Sequence, residues 1–175
     1  MASAKDVPSM NSISPDHVLG MGRTSCRQVP AQMEHKHREQ RIYRRLEGCR
    51  GIVPVLEYSA IYTRLRLMEH GDLRAYLTRH KTARSMQLRW FQDMARIIAQ
   101  VHDRRVLVAD IATRKFILDA ELTIALCDFS ESIALPRETD MQTTTGHGWT
   151  MHIDSGMLDA VFYEVIVGVK CEFDI

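Results

Sequence analysis

The feature that most constrains this chain is the stretch from Val106 to Ser130, VLVADIATRKFILDAELTIALCDFS, which sets two carboxylates, Asp110 and Asp128, eighteen residues apart around two short apolar runs. Phe116-Ile117-Leu118 and Leu122 to Cys127 have the length and character of buried strands, and Asp119-Ala120-Glu121 between them reads as a turn. A hairpin of this kind returns the chain on itself. It lifts Asp110 and Asp128 to the same end of a small sheet, where one carboxylate suits a base and the other a magnesium ligand.

These residues resemble the catalytic core of a eukaryotic-type protein kinase. The family's H-R-D-x-x-x-x-N loop falls on Val108 to Lys115, and its D-F-G motif falls on Asp128-Phe129-Ser130. Within the loop, Asp110-Ile111-Ala112-Thr113-Arg114 is similar to the D-L-A-A-R form of tyrosine kinases. The resemblance implies an α+β, bilobal fold, with an abbreviated strand-rich small lobe over residues 17–69 and a partial, mainly helical large lobe over 70–175, after a flexible lead-in over 1–16. It implies ATP and Mg²⁺ as cofactors. Asp110 would accept the proton of a protein hydroxyl, with Arg114 four residues behind it, and Asp128 would hold Mg²⁺. Lys115 stands where the family places the Asn that binds a second metal. A cation there should repel a second Mg²⁺ and could touch phosphate instead.

The resemblance extends along the chain. Gly20 and Gly22 fall where a glycine-rich loop would approach the ATP phosphates. A strand lysine should follow, and neither Gln28-Val29-Pro30-Ala31-Gln32 nor its neighbours supply one; Lys36 belongs to the next helix. That helix, roughly Gln32 to Glu47, carries Ile42, Tyr43 and Leu46 on one stripe and stops at Gly48. Glu39 takes the place of the glutamate that pairs with the missing lysine; a solvated charge is the plainer reading. Strands are expected over 52–58 and 62–68. Leu67 and Met68 then stand at the hinge that would bind adenine, before Gly71-Asp72-Leu73 and a helix.

The clearest amphipathic helix is Met86 to His102, with Trp90, Met94, Ile97 and Val101 on its buried face. His102 reads as structural or surface. After Asp128, residues 131–152 form an irregular polar segment with a Thr143-Thr144-Thr145 run. Asp154 is expected to cap a helix with an apolar stripe that includes Val161, Val165 and Ile166, to hold the catalytic loop from below, and to leave Asp159 as a charge near a packed surface. The family's large lobe continues with further helices, so this one is expected to lack part of its cover.

Composition narrows the partners. With a formal charge of +1 at neutral pH, no nucleic-acid partner is implied, and no run has the ~20 apolar residues of a membrane span. Cys26, Cys49, Cys127 and Cys171 are scattered and read as reduced thiols, in keeping with cytosol or nucleus. Two functions follow. One is ATP-dependent phosphoryl transfer to a protein hydroxyl; the other is a pseudokinase that binds a regulatory protein partner and catalyses nothing.

Overall fold

The computed structural model describes residues 33–169, with side chains from residue 36 onward. The lead-in, Gly20, Gly22, the 22–32 segment and the cysteines at 26 and 171 lie outside the described residues. Within them the elements run α1 (Met33–Arg45), β1 (Val55–Tyr58), β2 (Thr63–Leu65), β3 (Gly71–Asp72), α2 (Leu73–Arg79) and α3 (Arg84–Asp103). Then come β4 (Val106–Leu107), a 3₁₀ turn (Thr113–Lys115), β5 (Phe116–Leu118), β6 (Ile124–Leu126), β7 (Ile133–Ala134) and α4 (Met151–Val167). This is an α+β arrangement of helices and small antiparallel sheets, as expected of an abbreviated kinase-like fold.

The hairpin forms as the sequence suggests. β5 pairs antiparallel with β6, Phe116 opposite Leu126 and Leu118 opposite Ile124, and Asp119 closes the turn by accepting the Thr123 N–H at 2.7 Å. β3 adds to the other side of β5. Every residue of β5 and β6 is buried, because α3 covers the sheet with Trp90, Met94, Ile97 and Val101. Trp90 also donates its indole N–H to Leu122 O at 2.9 Å, satisfying the one polar atom of the largest core side chain. Ile42 and Leu46 of α1 and Leu158 and Val161 of α4 join the same core.

Several boundaries shift, each for a local reason. Strand 52–58 is shortened to Val55–Tyr58 because residues 52–53 bond to the edge of β6: Val53 N–H donates to Leu126 O, and Ile52 bridges Leu126 in parallel. Gly51 makes that crossing possible. It sits at φ +75°, and a Cβ there would stand 2.4 Å from Ile97 Cγ1. The second strand contracts to Thr63–Leu65. Residues 131–152 are not wholly irregular: β7 pairs with β4, Val106 opposite Ala134.

At α4 the cap is Thr150, whose hydroxyl accepts the Ile153 N–H; Asp154 stands one turn further in and is fully buried. Asp159 is exposed and carries no burial cost. Ile166 is 63% exposed rather than part of the buried stripe, and Tyr163, Val167 and Val169 are exposed with it. Cys127 is disulfide-bonded, against the expectation of a thiol, whereas Cys49 is free. No helix among the described residues is long and apolar enough to cross a membrane.

Candidate functional site

The loop after β4 is held from beneath by Asp154. Its Oδ2 accepts the Val108 N–H at 2.8 Å, and its Oδ1 accepts the Ala109 N–H at 2.9 Å. Two amides pointing at one carboxylate fix the backbone between them, and Ala109 is thereby kept at φ +61°, a region few side-chain-bearing residues adopt. His102 Nε2 lies 2.8 Å from Asp154 Oδ2 and sets that carboxylate's orientation. Ser132 Oγ donates to Val108 O at 2.9 Å from the opposite side. Further along the loop, Arg74 bonds both Thr113 Oγ1 at 3.0 Å and Glu164 Oε1 at 2.9 Å, tying the 3₁₀ turn to α2 and α4. Of these braces only Asp154 is legible from sequence as such; His102 reads as structural without its partner, and Ser132, Arg74 and Glu164 carry no local pattern.

Above this platform the expected residues meet, with one outcome that spacing does not dictate. Lys115, 2% exposed, lies with its ammonium between the two carboxylates, 2.7 Å from Asp110 Oδ2 and 3.6 Å from Asp128 Oδ2. Its backbone explains the placement. Lys115 ends the 3₁₀ turn, and its carbonyl accepts the Cys127 N–H at 2.9 Å, so the hairpin ladder sets it beside the residue preceding Asp128. Arg114 Nη2 lands on the same oxygen of Asp110 at 2.6 Å. Burial pushes the Asp110 carboxyl up, but the adjacent Lys115 ammonium, seconded by Arg114, outweighs it and holds the group below its ordinary range.

Asp128 is positioned by α1. Its N–H donates to Tyr43 Oη at 3.1 Å, and the Tyr43 ring meets Phe129 edge-on with centroids 5.1 Å apart. The residue sits at φ +63°, a second strained position at this centre. Val108 is fully buried and belongs to the same core cluster as Tyr43 and Phe129. Glu39, one turn before Tyr43, is 1% exposed, which overturns its reading as a solvated charge. Burial first, and then the charges of Glu39 and Asp128, push the Tyr43 hydroxyl well above its ordinary range, so it stays protonated.

The other expected residues are less involved. Leu67 is half exposed; Met68 packs into the core, with its carbonyl accepting Gly71 N–H at 3.1 Å. Neither makes a hydrogen bond or ion pair with Asp110, Lys115 or Asp128. Gly20 and Gly22 fall outside the described residues.

The donor set does not fit a pair of magnesium ions. Mg²⁺ prefers oxygen ligands, usually one or two carboxylates together with substrate phosphates. Here an ammonium fills the space beside both carboxylates, and no three His, Cys, Asp or Glu side chains converge among the described residues. At an effective dielectric of about 20, like unit charges 4 Å apart repel by about 4 kcal/mol, and a divalent ion doubles that.

The family model for protein tyrosine and serine/threonine kinases matches residues 26–153, and the chain belongs to that family. No curated protein matches it significantly. Kinases of this family generally use ATP with Mg²⁺.

Proposed function

We propose that this chain is a kinase-fold binding module, a pseudokinase that engages a regulatory protein partner while its phosphoryl-transfer centre is closed by Lys115. The observation that carries this reading is the buried Lys115 ammonium bridging Asp110 and Asp128. It places one positive charge between the two carboxylates from within the protein. A residue that supplies the countercharge makes a bound metal unnecessary for the local fold and unfavourable in the same space.

A second reading, ATP-dependent transfer to a protein hydroxyl, has its own support. Both cations fall on Oδ2 of Asp110, leaving Oδ1 without a hydrogen-bond or ion-pair partner among the described residues, and that oxygen could receive a hydroxyl proton. The two readings separate in a phosphotransfer assay with labelled ATP, Mg²⁺ and a generic protein acceptor. The proposal expects no incorporation above that of Asp110→Ala. Incorporation by the native chain that Asp110→Ala abolishes would establish the second reading.

A further inference from the structure

Helices α3 and α4 run antiparallel, and three contacts fix their register. His102 meets Asp154 at 2.8 Å, the Phe91 and Phe162 rings lie with centroids 4.5 Å apart, and Gln87 Nε2 donates to Val165 O at 3.3 Å. The inner faces of both helices join the core, but the seam between them is open on its outer side. Arg84, Leu88, Phe91 and Ala95 recur at helical spacing and form one stripe of α3; Asp159, Phe162 and Ile166 form the adjoining stripe of α4. Phe91 and Phe162 are half-buried, whereas Leu88 is 59% and Ile166 63% exposed.

The seam carries one charge of each sign, one toward either end. Arg84 opens α3 at the level of the last turn of α4, and Asp159 lies beyond the Phe91 and Phe162 pair, near the level of Ala95. Both are exposed, and neither forms an ion pair among the described residues. At a rise of about 1.5 Å per residue the two charges stand roughly 15 Å apart along the seam, with Leu88 and Ile166 close to the midpoint. Water against two such neighbouring apolar side chains is a standing cost that a second surface removes.

We propose that this seam is the interface of a two-fold symmetric dimer of the chain. A two-fold axis at the midpoint turns the second seam end for end, so that Leu88 and Ile166 of the two copies meet at the centre and each Arg84 arrives at Asp159 of the partner subunit. Every cross-contact in such an interface occurs twice, so one complementary pair gives two. Ala95 puts no bulk beside Asp159, which leaves room for the long arginine side chain. Charge selects this occupant. An acidic segment of another protein, or an anionic bilayer, would suit Arg84 and the exposed Lys81 near it but would meet Asp159 with a like charge. The interface involves neither Lys115 nor the carboxylates it bridges, so it holds for either reading of that centre.

The test is sedimentation velocity on the full chain from about 1 to about 100 μM, for the native protein, Leu88→Ser with Ile166→Ser, Arg84→Glu, Asp159→Arg, and these last two combined. The native chain should pass from monomer to dimer across that range, and the serine pair should weaken association at least about tenfold. Each charge reversal alone turns two attractions into two repulsions and should weaken it about tenfold, while the combination should return to within about threefold of the native Kd. A native chain that stays monomeric to about 100 μM, a dimer indifferent to the serine pair, or a combined variant no tighter than the single ones would each overturn the proposal. So would a monomeric chain that binds phosphatidylserine vesicles or an amphipathic Glu/Leu peptide and loses that binding in the serine pair, which would assign the seam to that occupant. Recovery in the combined variant decides the matter even if a single variant melts early, because a second reversal does not repair a lost fold.

Discussion

Asp154 and His102, both buried, meet at 2.8 Å beneath the loop that carries Asp110, although they lie 52 residues apart in sequence. The same Asp154 oxygen accepts the Val108 amide, so a helix-borne carboxylate, not the loop's own residues, keeps Ala109 in its left-handed conformation. Replacing Asp154 by Ala strands two buried amides and the imidazole together. A loss of about 3 kcal/mol is expected, which for a chain of this size lowers the melting midpoint by roughly 6–12 °C. Asp154→Asn, which keeps one acceptor oxygen, should lose less. A melting curve for Asp154→Ala within a degree of the native one would contradict the role assigned to it.

Tyr43 couples α1 to the second carboxylate through a single hydroxyl. Tyr43→Phe keeps the edge-on contact with Phe129 and removes only the acceptor for the Asp128 N–H. About 1 kcal/mol of stability should go, with faster hydrogen exchange concentrated at the Asp128 amide. Uniform acceleration across the hairpin would point instead to general loosening.

Gly51 lets the chain pass close over α3. Gly51→Ala places a methyl group against Ile97 in a backbone conformation that side-chain-bearing residues avoid. Urea unfolding should show a loss of at least about 1–2 kcal/mol, whereas Gly48→Ala, with open space around it, should lose less. Equal losses at the two positions would show that Ile97 yields.

The sequence was most readable where one local rule sufficed. Alternating turn and apolar runs placed the β5–β6 hairpin, the spacing of Trp90, Met94, Ile97 and Val101 placed α3, and Gly168 ends α4 at φ +75° as a stop residue should. Sequence alone marks Asp154 both as the loop's support and as a cap, and Thr150 takes the second role, because both residues satisfy the cap preference and only tertiary contact separates them. Lys115 and Glu39 were harder. Their burial depends on what the hairpin and α1 pack against, and a charged residue gives no local sign that it will be taken inside.

Asp110 offers a pH signature. Its folded-state pKa lies below the ordinary 3.8, so between the two values the unfolded chain binds more protons than the folded one. The stabilisation is fully present above the ordinary value and is lost as pH falls through the folded value. A carbon-13 titration of the Asp carboxyls should find Asp110 ionising below its ordinary range and moving upward in Lys115→Asn. Titration above that range in the native chain would mean that burial, not the ammonium, dominates.

The most direct measurement is a thermal-shift titration with ATP, with and without Mg²⁺, on the native chain, Lys115→Asn and Asp128→Ala. Ligand at one hundred times its dissociation constant adds about 2.7 kcal/mol, a shift that is easily read. If Lys115 occupies the cation's place, the native midpoint should be indifferent to Mg²⁺, and Lys115→Asn should gain a Mg²⁺-dependent rise. A Mg²⁺-dependent rise in the native chain that Asp128→Ala abolishes would contradict the account.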